Sequence, residues 1–168
     1  MKTVDLTNVP DRQEFSRLTS GAYICKIGKV DDQADKECLK IEYDIAVGQF
    51  KDYYTELFVN MGFWGGTLYR SYKDSALSFF KGFITAIANS NPGFAWTSNE
   101  QQLVGKLFGA VIAEEEYFKK DGTIGTRLYV ADVRSIDKIK SGDFKVPSLK
   151  TVNKSDAKTS FKGTEVSL

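Results

Sequence analysis

From Leu39 to Ile45 the chain reads Leu-Lys-Ile-Glu-Tyr-Asp-Ile, with apolar and charged residues in strict alternation. Successive side chains of a strand point to opposite faces, so this segment specifies a strand with one face buried and one in water. Such a strand needs partners. The stretch Ala22 to Val30 is rich in β-branched and aromatic residues and is closed by the polar Asp31-Asp32-Gln33-Ala34-Asp35, which makes it the expected antiparallel neighbour. After Gly48, the segment Phe50 to Val59 reads as a third strand. Tyr53, Leu57 and Val59 share one parity there, and Tyr54, Glu56 and Phe58 share the other, which Glu56 marks as the outer face.

The period changes at Ser71. Ser71-Tyr72-Lys73-Asp74 has the shape of a capping box, with Asp74 in place of the usual Glu or Gln. Beyond it Leu77, Phe80, Ile84, Ile87 and Ala88 fall at helical spacing, with Phe79 and Phe83 widening the stripe, until Asn89-Ser90-Asn91-Pro92-Gly93 ends the helix. Leu103 to Ala113 and Thr126 to Ile136 read as a fourth and a fifth strand. Lys119-Lys120-Asp121-Gly122 supplies the hairpin turn between them.

The order is three strands, one helix, two strands. The expected fold class is therefore mainly β with one principal helix, a five-stranded OB-fold-like Greek-key barrel of order β-β-β-α-β-β. Residues 1–20 form a polar lead-in, 21–142 the OB-fold-like domain, and 143–168 a flexible, mildly basic C-terminal tail with five lysines against three acidic residues. Barrels of this kind commonly bind oligonucleotides or oligosaccharides across the second and third strands and the loops beside them. Those loops would be Asp31 to Lys36, mainly acidic, and Phe118 to Gly125, which carries Lys119 and Lys120 and is followed by Arg127.

Composition excludes several classes of function. With 23 basic and 22 acidic side chains the net charge is +1, so bulk charge does not drive duplex binding, and any nucleic-acid site must be a local patch. The chain has no histidine, which removes the usual general base and the Ser-His and Cys-His nucleophiles. Glu114-Glu115-Glu116 is a carboxylate run without convergent partners, best read as a solvated strand end. Cys25 and Cys38 lack metal-ligand spacing and read as reduced thiols. No enzyme activity, metal or cofactor is expected. No stretch reads as an export signal or a membrane span, so the expected location is cytoplasmic.

Eight of the 22 aromatic residues fall within the 25 positions from Gln49 to Lys73. That is more than one core segment needs. Glycines 62, 65 and 66 interrupt the run, and cations flank it, an arrangement suited to stacking nucleic-acid bases beside phosphates. Tyr54, Phe63, Trp64 and Tyr69 are the candidate stacking rings. Lys51, Arg70, Lys119, Lys120 and Arg127 are the candidate phosphate contacts. Alternatives stand beside these assignments: Tyr53 and Phe58 as barrel core, Trp64 as a ring simply exposed in its glycine-framed loop, and Arg70 as an ion-pair partner of Glu56 or Asp74.

Four stretches carry a resemblance: Leu68-Tyr69-Arg70-Ser71-Tyr72-Lys73, Phe79-Phe80-Lys81-Gly82-Phe83-Ile84, Ser90-Asn91-Pro92-Gly93 and Gly142-Asp143-Phe144-Lys145-Val146-Pro147. Over about Gly21 to Leu149 the chain resembles a family of small early proteins of tailed phages and prophages. Members placed in context look like single-stranded DNA-binding proteins of replication or recombination. The resemblance implies a binding module rather than chemistry. Bacterial single-stranded DNA-binding proteins end in an acidic tip, whereas this sequence ends in Lys162-Gly163-Thr164-Glu165-Val166-Ser167-Leu168. The leading expectation is sequence-tolerant binding of single-stranded DNA. Its alternative is a protein-interaction module for a replication, recombination or host defence protein, and a homo-oligomer is compatible with either.

Overall fold

The computed structural model describes residues 1–10 and 15–153. Among these, five strands, β1 (Gly21–Gln33), β2 (Cys38–Ile45), β3 (Thr67–Ser71), β4 (Leu107–Phe118) and β5 (Ile124–Arg134), form one antiparallel sheet in the order β3-β2-β1-β4-β5. The fold is mainly β. The edge strands are β3 and β5, and no ladder joins them among the described residues, so the expected closed barrel is an open sheet.

The core follows from the alternation. Leu39, Ile41, Tyr43 and Ile45 of β2 are buried and the residues between them are half-buried. On β1 the buried residues are Cys25, Ile27 and then Val30. The step lengthens from two to three because Gly28 is an extra residue between the pairs Ile27 with Tyr43 and Lys29 with Glu42, a bulge that returns Val30 to the core. A second bulge lies on β5, where Val130 faces Ile112 and Asp132 faces Val111, leaving Ala131 over. Leu128 and Val130 pack on the core before it and Val133 after it. Unbroken alternation would have turned Asp132 and Arg134 inward instead. The interior strand β4 is buried on both faces from Ala110 to Ala113. A short helix, Ile136–Ser141, crosses one of them. A Cβ added to Gly109 would run into Ile139 of that helix and lie 2.8 Å from the Arg134 carbonyl oxygen, so glycine is needed for the approach.

The expected third strand is a helix. Residues Tyr53–Met61 form α1, although their aromatic and β-branched content suits a strand. A tertiary contact decides the matter: the Asp44 carboxylate of β2 accepts the backbone N–H groups of Tyr54 and Thr55 at 2.8 and 3.0 Å and the Thr55 hydroxyl at 2.6 Å. Free N–H groups at a helix start are thereby satisfied from a neighbouring strand. The third strand of the sheet is Thr67–Ser71, six residues past the helix end.

The expected main helix is present as α2 (Leu77–Ser90), preceded by a 3-10 turn at Asp74–Ala76. Ser71 Oγ accepts the Lys73 N–H at 3.2 Å, a local turn in place of the expected box. Phe83, Ala86 and Ile87 are buried, but Phe79 is 79% exposed and does not belong to the buried stripe. Asn91 ties the helix end to β4, its amide donating to the Ile87 and Leu107 carbonyls at 2.8 Å and accepting the Leu107 N–H at 3.0 Å. Leu103 ends a 3-10 turn, so β4 starts four residues later than its apolar run suggests. The β4–β5 hairpin turns where expected, with the Gly122 N–H donating to the Lys119 carbonyl at 2.9 Å. The short helix after β5 is α3 (Ile136–Ser141).

Part of the expected tail returns to the sheet. The Lys150 carbonyl accepts the Glu116 N–H at 2.8 Å and the Lys150 N–H donates to the Glu114 carbonyl at 3.1 Å, beyond the point where β1 stops pairing with β4. The tail expected over 143–168 thus begins as placed chain, and its remainder from residue 154 lies outside the described residues.

Candidate nucleic-acid interface

The nine residues singled out in the sequence fall in three places. Around α1 lie Lys51, Tyr54, Phe63 and Trp64. Tyr54 is a core residue, only 4% exposed, meeting Tyr43 edge-on at 5.5 Å and Tyr53 at 5.1 Å. It offers no face to a base, which corrects its assignment as a stacking ring. Burial also pushes its hydroxyl up to about 12. Trp64 is half-buried between Tyr54 and Phe58, with its indole N–H donating to the Gly66 carbonyl at 2.9 Å. Gly66 sits so close under Tyr54 that an added Cβ would lie 2.7 Å from that ring and collide with the Tyr43 carbonyl. Phe63 is 55% exposed beside the exposed Phe58, Val59 and Met61, and Lys51 is exposed in the turn before α1.

The hairpin tip holds Lys119 and Lys120, both exposed. Arg127 stands lower on β5 and is engaged, 2.9 Å from the Glu115 carboxylate and 4.8 Å above the Tyr117 ring. The outer face of β1 and β2 is charge-balanced. Lys26 opposes Asp44, Lys29 opposes Glu42, and Asp31 opposes Lys40, so no basic track runs across it.

Tyr69 and Arg70 occupy the third place, on edge strand β3. Tyr69 faces solvent opposite Lys40 and is 55% exposed. Arg70 has the other parity, opposite buried Leu39, and its guanidinium lies 5.6 Å over the Phe83 ring of α2. Its Nη1 donates to the Tyr69 carbonyl at 3.0 Å. Neither Glu56 nor Asp74 pairs with it, and no carboxylate is within ion-pair distance of it among the described residues. Burial lowers its pKa, and the field of Asp132 acts in the opposite direction.

These two residues border a groove of about 850 Å³ between β3 and β5, with α2 running along it. The open sheet creates this groove. Besides Arg70, its lining among the described residues contains the cations Lys81, Arg134 and Lys138 and one carboxylate, Asp132. Phe79 stands on its rim, and Phe80 and Phe83 line it from α2. Sequence reasoning missed Phe79, Lys81, Asp132, Arg134 and Lys138. A signal existed for one pair only, since an aromatic beside a lysine in Phe79-Phe80-Lys81 departs from a purely apolar stripe. The β5 residues had none, because the bulge at Ala131 that aims them is not visible in the alternation.

No protein-family model and no curated protein sequence matches this chain. Among the described residues no helix is long and apolar enough to cross a membrane.

Proposed function

We propose that this protein binds single-stranded DNA in a sequence-tolerant manner in the groove between β3 and β5. The observation that carries the reading is local: four cations meet one carboxylate there, beside the exposed rings of Tyr69 and Phe79, in a chain whose net charge is +1. Aromatic faces accept any base, at about 1–3 kcal/mol each, while lysine and arginine hold the backbone. The strand order, with a helix between the third and fourth strands, supports an OB-like domain opened between strands 3 and 5. The resemblance to phage early proteins suggests replication or recombination as the setting, with strands protected or presented rather than altered. Titration of a labelled oligothymidylate at several salt concentrations tests this. Binding that weakens steadily with salt is expected, and no binding at low salt would sink the proposal.

A second reading is a protein-interaction module, favoured by the exposed apolar row Phe58, Val59, Met61 and Phe63 at the end of α1. A replication or recombination protein bound through that row, with no affinity for oligonucleotide, would favour this reading over the first.

A further inference from the structure

Among the described residues Asp132 is the only carboxylate lining the groove, and its position is set by the fold. The extra residue at Ala131 turns both Asp132 and Arg134 toward the groove wall while Val133 faces the core. There the Asp132 Oδ2 lies 2.7 Å from the Arg134 Nε, and Oδ1 accepts the Val133 N–H at 2.9 Å. The carboxylate is thus fixed at both oxygens. Across the groove stands Arg70, with no carboxylate within ion-pair distance among the described residues; burial lowers its pKa, and the field of Asp132 opposes that. One guanidinium is thus paired with the acid, and a second lines the same groove.

A phosphodiester carries the same single negative charge as this carboxylate and accepts the same hydrogen bonds from arginine. We infer that Asp132 is an internal counterion that stands where a backbone phosphate would bind, so that an incoming strand must compete with it for Arg134 and Arg70. The inference rests on the reading of the groove as a single-stranded DNA site. Its consequence is a restrained affinity. The strand gains less from Arg134 than from an unpaired arginine, and it is released more readily.

The experiment measures oligothymidylate binding by fluorescence anisotropy over a range of salt for the wild type, Asp132→Asn and Asp52→Asn. Asparagine at 132 keeps one oxygen, for the Val133 N–H, and places an amide nitrogen where the second oxygen accepted the Arg134 Nε–H, so it removes the charge together with the Arg134 pairing. Asp52 precedes α1, away from the groove lining, and its replacement changes net charge by the same amount. Asp132→Asn is expected to bind about threefold tighter or more, with a salt slope steeper by about 0.7, the share of one additional phosphate contact on a single strand. Asp52→Asn should match the wild type. Arg134→Gln should cost more affinity in the Asp132→Asn background than in the wild type, and Asp132→Ser, which removes the charge through a different side chain, should also tighten binding. Unchanged or weaker binding by Asp132→Asn and Asp132→Ser would overturn the counterion role while leaving the site's function standing, and so would an equal gain from Asp52→Asn. Absence of binding by the wild type and every variant would instead overturn the function, and the counterion role with it.

Discussion

The Asp44 carboxylate on β2 accepts the backbone N–H of Tyr54 at 2.8 Å, so a strand residue caps a helix that begins nine positions later. It also holds the Thr55 N–H and hydroxyl. Asp44→Ala should therefore destabilise the protein by about 1–2 kcal/mol, the usual cost of a lost helix cap. Urea denaturation checks this, with Asp44→Asn expected to fall between the wild type and alanine.

Phe79 is exposed on the groove rim, whereas Phe63 is exposed beside α1. Phe79→Ala should weaken oligonucleotide binding by about tenfold, in line with the loss of one stacked base. Stability should change little, because the ring buries little surface. Phe63→Ala should leave DNA affinity unchanged. Anisotropy titration of the two variants separates the groove from the α1 face, and the opposite pattern would move the site.

Trp96 meets Phe80, a groove residue, at 5.9 Å, while Trp64 packs against Tyr54 and Phe58. If DNA quenches tryptophan fluorescence, Trp96 should carry the response. Trp64→Phe is expected to retain the quenching and Trp96→Phe to lose most of it, as read in parallel titrations.

Burial raises the Tyr54 hydroxyl from 10.0 to about 12, and Tyr43, beside it, is raised well above its ordinary value for the same reason. The folded state therefore favours the neutral phenols. Their contribution to stability is fully present below pH 10, where the unfolded tyrosines are also neutral, and declines as pH rises through about 12. Denaturation midpoints should fall across that window. Tyr54→Phe should reduce the fall, and an undiminished alkaline loss in that variant would contradict the assignment.

Much of the architecture was legible because periodicity is a local property. The alternation of Leu39 to Ile45 placed β2, the spacing of Phe80, Ile84 and Ile87 placed α2, and Lys119 to Gly122 placed the hairpin. Tyr53–Met61 was not legible as a helix. Its residues suit a strand, and the cap that decides otherwise comes from Asp44, outside the segment.

The sequence by itself determined an antiparallel β protein with a packed helix, since apolar spacing dictates which faces must leave water. It also excluded histidine chemistry and confined any nucleic-acid site to a local patch of charge. The tertiary structure decided which aromatics remain outside and which cations converge. Tyr54 went into the core, Trp64 was tied to Gly66, and Tyr69 and Arg70 were brought beside Phe79, Asp132 and Arg134 across the gap between two unpaired edges. That gap is left where β3 and β5, distant in sequence, do not pair, and the bulge at Ala131 arises in the ladder of β5 with β4, so no pattern within one segment encodes either.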